Sequence, residues 1–432
     1  MLIAHKIELL ANDEVKSYCR KAFGISRHAW NYCVRRALDD RKNHIFIDCK
    51  QYKKDYNALK QTEYAFTYEV TKYASQQPFI FCEKAINAYY STNRKGKKPG
   101  FVKYKKKSMT KGSFYIGGDQ VKVLQGKPDS KNPKVLNTNS NHQSLKIPNF
   151  GWVELREHIR FEGKILSSTI PQEGDKFYAS FNMEISDEEY RRTHKPILQL
   201  NTAVGIDLGL KYFITTDNGV VIEAPKPLKR YMKKLKMEQR ALSRKVHPRT
   251  KEDTTKYSKN YYRQLEKVKK LHRKIACIRK DCIEKVTTVL VRNYQYIKIE
   301  DLNVKGMVKN HKLALAISDV GFYKFRSRLE CKAKEYQRVV SLADRFYPSS
   351  KTCSKCGAIK EDLTLKDRTY ICPKCGFTID RDLNAAINLK NSLKSDYVGR
   401  VTTEFMDVDR LALLDDFAKN KITTSLIEAS IQ

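Results

Sequence analysis

A chain of 432 residues, 41% hydrophobic and 31% charged, has a globular composition and room for several domains, each with its own core. Lys and Arg number 84 against 48 Asp and Glu, and the net charge of +36 repels itself unless a polyanion neutralises it, which points to nucleic acid. No run reaches the apolar length of a spanning helix and residues 1–6 lack a secretory core, so a membrane partner is not expected. Cys19, Cys33, Cys49, Cys82, Cys277, Cys282 and Cys331 are scattered, which argues against a disulfide framework and fits a reducing cytoplasm.

Residues 3–10 alternate as a strand does. From Asn12 to Thr92 the pattern is helical, with Asn12-Asp13-Glu14 as a start and Phe23, Trp30, Tyr73, Phe79 and Tyr89 as anchors. Residues 94–111 hold nine bases and no acid. Lys97, Lys98, Lys103, Lys105, Lys106 and Lys107 surround Phe101 and Tyr104, a mixture suited to phosphate contacts with stacking, and equally to a solvated loop. From about 100 to 196 short strands and the turn cluster 126–133 predict a small β-barrel or sandwich, which the N-terminal strand can complete.

The register changes near 200. Ala203–Leu208 is an apolar strand bearing one carboxylate, and Tyr212–Thr216, Asp217-Asn218-Gly219 and Val220–Ile222 predict a hairpin. Two basic helices follow, near 229–247 and 258–295. The second carries Leu265, Val268, Leu271, Ile275, Ile278 and Cys282 as an apolar stripe, leaving Lys269, Arg273 and Lys280 for a polyanion or for solvent. Tyr296–Leu302 predicts a strand, 319–336 a helix burying Phe322, Phe325 and Leu329, and 339–342 another strand. The segment from about 401, with six acids and three bases, is not expected to bind nucleic acid.

Cys353-x-x-Cys356 and Cys372-x-x-Cys375, fifteen residues apart, have the ligand spacing of a tetrahedral zinc site, with Gly357 and Gly376 to ease the knuckle turns. Four protein ligands leave no position for substrate, so this Zn²⁺ is expected to be structural. Chemistry falls to the acids at strand ends and helix starts: Asp207, Glu300 and Asp382. Three converging carboxylates suit Mg²⁺ or Mn²⁺, and a pair of such ions suits phosphodiester hydrolysis. Asp380 competes with Asp382 for the third position but is also a natural N-cap, and Asp382 is preferred.

Gly205-Ile206-Asp207-Leu208-Gly209, Ile299-Glu300-Asp301-Leu302 and Asp380-Arg381-Asp382-Leu383-Asn384-Ala385-Ala386 resemble the three motifs of a split RuvC nuclease. Tyr347–Cys353 leading into the knuckles is similar to the junction in transposon-encoded TnpB proteins and their descendants, the miniature type V-F CRISPR effectors. Phe23–Asn31 and Gly100–Lys105 resemble earlier landmarks of the family. The resemblance implies an α+β multidomain protein. Its expected parts are a wedge β-barrel (1–11 and 98–196), a helical recognition lobe (12–97), an RNase H-like RuvC domain (197–346 and 377–400), a zinc ribbon (347–376) and a C-terminal tail (401–432). It further implies a guide RNA directing cleavage of double-stranded DNA beside a short flanking motif, by a homodimer on one guide RNA if a CRISPR effector in antiviral defence, or by a monomer if TnpB. The reading leans to the CRISPR effector. A DNA transposase or recombinase, and a non-catalytic nucleic-acid-binding protein, are the alternatives of other classes.

Overall fold

The alternation over 3–10 becomes strand β1 (Leu2–Leu9), with His5, Ile7 and Leu9 buried on one side. The computed structural model describes residues 1–94, 100–107, 111–194, 202–250, 253–364, 366–396, 408 and 410–426. The chain divides into two units, Met1–His194 and Lys195–Gln432.

In the first unit, helix α1 (Asp13–Lys42) starts where the Asn12 side chain accepts the Val15 N–H. Helices α2 (Cys49–Leu59) and α3 (Lys72–Arg94) follow. Then come β2 (Ser113–Gly117), β3 (Lys122–Gln125), β4 (Lys127–Pro128), β5 (Leu136–Asn137), β6 (Gln143–Ile147), β7 (Gly151–Glu154), β8 (Lys164–Glu173), β9 (Lys176–Glu184) and α4 (Asp187–His194). One sheet has the order β1-β9-β8-β2 and a second the order β3-β6-β7. A bridge between Leu9 and Leu155 joins β1 to the end of β7, so the N-terminal strand links the two sheets. Helix α1 belongs to two cores. Val15, Tyr18, Ala22 and Phe23 pack with the strands, while Trp30, Cys33, Val34 and Ala37 pack with α2 and α3.

The second unit is built on a six-stranded mixed sheet of order β14-β13-β10-β11-β12-β17. Its strands are β10 (Ala203–Asp207), β11 (Ile214–Thr216), β12 (Val220–Ile222), β13 (Tyr296–Ile299), β14 (Val339–Leu342) and β17 (Thr424–Leu426). Strands β10, β13 and β14 are parallel, and β11–β12 is the antiparallel hairpin, its turn closed by Gly219 at φ +84°. Between β12 and β13 lie α5 (Pro227–Ser243) and α6 (Lys259–Asn293), and after β13 come α7 (Val304–Met307), α8 (Ala314–Val320) and α9 (Phe322–Glu335). The stripe on α6 divides. Val268, Leu271 and Ile275 pair with Leu235 of α5, while Ile283, Val286 and Leu290 enter the sheet core with Phe322, Phe325 and Leu329. The small hairpin β15 (Thr369–Ile371) and β16 (Thr378–Asp380) leads into α10 (Arg381–Asp396). No helix among the described residues is long and apolar enough to cross a membrane.

The C-terminal segment is not a separate tail where it is described. Helix α11 (Arg410–Lys419) buries Leu413 and Phe417 in the sheet core, and β17 pairs antiparallel with β12. Asp416 also accepts a 3.0 Å hydrogen bond from Asn293 at the end of α6. Burial decides the outcome here, since the acidic surface of this segment hides an apolar stripe. Phe417→Ala should therefore lower the stability of the second unit by about 3–5 kcal/mol, read by urea unfolding; an unchanged transition would mean that α11 is not part of this core.

Candidate active site

The site is organised by side-chain alternation on β10. Val204, Ile206 and Leu208 face the apolar core, so Gly205 and Asp207 face the other side, toward α10. At Gly205 the helix backbone comes so near that a Cβ would lie 2.0 Å from the Ala386 carbonyl oxygen and 2.4 Å from the Lys390 nitrogen. Only glycine permits this contact. Ala386 is one helical turn beyond Asp382, so the same contact brings the start of α10 toward Asp207. On β13, Ile299 pairs with Ile206, and Glu300 is the next residue on the strand neighbouring Asp207.

The three acids feel one another. Burial pushes the Asp207 carboxyl well above the usual carboxylate range, and Glu300 and Asp382 push it further, against the opposing charge of Arg381. Burial also raises Glu300; a 2.7 Å hydrogen bond donated by the Ser349 hydroxyl opposes the rise, and Asp382 adds to it. Asp382 is 8% exposed and accepts from Arg381 Nη2 at 2.8 Å, with Arg368 Nη1 at 3.7 Å. Arg381 is the residue that sequence reasoning missed. Its guanidinium supplies positive charge where the acids need a cation. Buried hard-oxygen donors short of positive charge fit a divalent ion of the Mg²⁺ type. The three carboxylates are not drawn within 4.8 Å of one another as a set; the described clusters that tight are both all-cysteine.

Neighbouring acids have other work. Asp301 is ion-paired to Arg326 at 2.6 Å and Arg345 at 2.5 Å, and the Arg345 bond holds its carboxyl below the usual range. Asp380 accepts the backbone N–H groups of Asp382 and Leu383, which makes it the cap of α10. A cavity of about 180 Å³ opens beside Glu300, lined by Leu208, Asp301, Phe322, Arg326 and Arg345 among others.

The four cysteines of the knuckles converge. Their sulfurs lie within 4.8 Å of one another, with Cys353–Cys375 at 3.8 Å and Cys356–Cys372 at 3.6 Å. The edge of a tetrahedron with 2.3 Å metal–sulfur bonds is about 3.8 Å, so the set fits zinc. Gly357 and Gly376 have φ +75° and +68°, and each knuckle closes by the same bond, Gly357 N–H to the Cys353 carbonyl and Gly376 N–H to the Cys372 carbonyl. The ribbon is fastened to the acid site. Buried Asn384 and Asn388 of α10 both donate to the Thr352 carbonyl, Asn388 also to that of Ser349, and the Ser354 N–H donates to Asn384. The stretch leading to Cys353 thus holds Glu300 at one end and α10 along its length.

The basic candidates separate. Lys97 and Lys98 lie outside the described residues. Lys103, Tyr104, Lys106 and Lys107 are exposed, on a segment pinned to α1. Trp30 Nε1 donates to the Lys103 carbonyl, and Asn31 exchanges two hydrogen bonds with the Lys105 backbone. Lys105 departs from the expectation of a phosphate contact. Its ammonium lies 3.7 Å from the Trp30 ring centroid and burial lowers its pKa. On α6, Lys269 and Lys280 are exposed and Arg273 is half-buried. Beside the start of α6, exposed Tyr257 and Tyr262 form ring contacts with Tyr261, a cluster with no periodic signal in the sequence.

Three family profiles match this chain. Residues 1–45 match a "Helix-turn-helix domain", 180–311 a "Probable transposase" and 322–389 a "Cas12f1-like, TNB domain". The first stretch holds one strand and one uninterrupted helix start, not two helices. A Streptomyces pristinaespiralis protein named "Putative RNA-guided DNA endonuclease" is 40% identical over 197 residues, 46% of either chain, so the match spans under half of that relative. "Putative RNA-guided DNA endonuclease InsQ" of Escherichia coli is 27% identical across 90% of this chain and 91% of its own. A solved chain from a Cas12f1-sgRNA-target DNA complex covers 90% of this chain and 99% of itself at 15% identity and TM-score 0.32. By its sequence matches the chain resembles TnpB proteins and, at 322–389, type V-F effectors.

Raised carboxyls carry a stability cost with a definite sign. The metal-free fold keeps protons that the unfolded chain has released, so its stability falls as pH rises from the unfolded carboxylate range toward the raised values of Asp207 and Glu300. Asp207→Asn should reduce that slope and raise the melting temperature of EDTA-treated protein above pH 5 by about 2–4 °C; a lower melting temperature would mean that Asp207 is already compensated. Ser349→Ala should raise the Mg²⁺ concentration that half-saturates the acid site by about 10–100-fold, with Ser349→Thr partly restoring it. An unchanged Mg²⁺ requirement would show that this hydroxyl does not orient Glu300.

Proposed function

We propose that the protein is an RNA-guided DNA endonuclease in which Asp207, Glu300 and Asp382 hold the catalytic divalent ions. The observation that carries the reading is the electrostatic convergence of three acids from two neighbouring parallel strands and a helix start, beside a four-thiol ribbon. In this reading the six-stranded sheet and α10 form an RNase H-like RuvC domain over 197–346 and 377–400, joined by 410–426. The zinc ribbon is 347–376, the wedge barrel 1–11 and 98–196, and the recognition lobe 12–97.

Mg²⁺ or Mn²⁺, when bound, supplies activation of the attacking water and stabilisation of the leaving oxygen. The chain's own residues prepare for this. Asp207, Glu300 and Asp382 would hold the ions, Ser349 fixes the orientation of Glu300, and Arg381, bonded to Asp382, supplies positive charge beside them. Zn²⁺ on Cys353, Cys356, Cys372 and Cys375 holds the ribbon together and, indirectly, the start of α10.

RNA guidance is supported by the relatives named for it, one of them matching over 90% of this chain, and by the charge of +36. Guide RNA and duplex DNA are then the partners, read through backbone shape, with sequence read by base pairing. Of the two forms, the CRISPR effector has the match at 322–389 in its favour. The transposon-encoded TnpB form has the TnpB-like relatives and the match described as a transposase, and on these it is the better supported.

The test is cleavage of a plasmid target in Mg²⁺ with matched guide, mismatched guide or no RNA, the guide scaffold taken from RNA that copurifies with the protein. Cutting should require the matched guide, stop with EDTA and fall by at least about a thousandfold in Asp207→Ala, Glu300→Ala or Asp382→Ala, with RNA binding retained. Equal cutting in all three arms would reject guidance. Joining of DNA ends without RNA would favour a transposase.

A further inference from the structure

In the first unit, three more cysteines meet. Cys33 of α1, Cys49 at the start of α2 and Cys82 of α3 are 0%, 5% and 0% exposed. Their sulfurs all lie within 4.8 Å of one another, and Cys33 and Cys49 are 3.6 Å apart. Among the described residues no fourth His, Cys, Asp or Glu joins the set. Space-filling thiols have no cause to seek one another, because any small apolar side chain packs as well. Here each helix of the bundle contributes one, and a trigonal site with 2.3 Å metal–sulfur bonds has a sulfur–sulfur edge of about 4.0 Å.

A second observation concerns charge. Lys105 folds inward over Trp30, and its charge acts on Cys82. A half-buried ammonium is favoured by an anionic neighbour as well as by the ring it covers. Three thiolates, one divalent ion and one ammonium sum to zero, so Lys105 would balance the net charge of a metal-loaded cluster. We propose that Cys33, Cys49 and Cys82 form a three-sulfur site for a soft divalent cation of the zinc group, stapling the three helices of the N-terminal bundle. On loading, the three thiols release their protons to solvent and three sulfur–metal bonds form, with no change of oxidation state.

Cadmium is the probe. Reduced full-length protein produced in cadmium-supplemented medium should bind about two ions per chain and give two cadmium NMR resonances, one from four sulfurs and one from three. Cys82→Ala should remove only the three-sulfur resonance and about one equivalent of metal, and should lower the melting temperature of loaded protein. Lys105→Gln should weaken retention of that ion against a chelator by about tenfold and leave the four-sulfur ion in place. The wild-type spectrum decides the matter even if a variant fails to fold. A single four-sulfur resonance with about one ion per chain would overturn the proposal, as would a second resonance that survives Cys82→Ala, or a Cys33–Cys49 disulfide in protein purified with its thiols alkylated at lysis.

Discussion

The candidate active site depends on the contact between two backbones, α10 against β10 at Gly205. Any side chain there would push the helix outward, and Asp382 with it. Polar bonds secure the approach. The Gly205 N–H donates to Asp217, and the same carboxylate is paired with Lys390 of α10 at 2.8 Å. A buried pair is weak support for stability, because desolvation offsets much of the attraction. Its geometric effect is plain, since it ties helix, central strand and hairpin turn at one point. The apolar face of β10 sets the orientation of the sheet, and the opposite face, stripped to Gly and Asp, makes room for chemistry.

Charge is distributed by a related logic. The chain carries a large excess of cations, yet the carboxyls of Asp207 and Glu300 lie with Asp382 where Arg381 alone does not balance them. In water such carboxylates would ionise freely; here burial and mutual repulsion oppose it. An arrangement of this kind costs stability and is retained where an ion or a phosphate restores the balance. Asp301, one residue from Glu300, makes the contrast, because two arginines have already neutralised it and so leave it no call for a metal.

Much of this was legible in the sequence for identifiable reasons. Alternation over residues 3–10, the Asn-Gly turn and the apolar stripe of α6 are local patterns that each element must satisfy, and the structure keeps them. The thiol spacing was legible because two tight knuckles leave few alternatives. The contact of Lys105 with Trp30 was out of reach because composition cannot say which lysine of a run turns inward; that depends on Trp30, seventy-five residues earlier and brought beside it by α1. The bonds of Ser349, Asn384 and Asn388 were also out of reach. They join residues that look like ordinary polar loop and helix positions until the loop is folded onto the helix. The segment from 410 was read by its surface charge, while its place in the sheet is decided by buried Leu413, Phe417 and Ile422.

The fastening of the ribbon has a consequence of its own. Of the three acids, Asp207 sits on the central strand, but Glu300 receives its hydrogen bond from the stretch entering the first knuckle, and Asp382 follows directly from the hairpin that carries the second. Two of the three therefore answer to a small domain that is itself held by four thiols. A displacement of the ribbon is passed through these bonds to Glu300 and to the start of α10. The ribbon is in mechanical series with the acid site, so the geometry of the acids is only as rigid as the weakest link in that series.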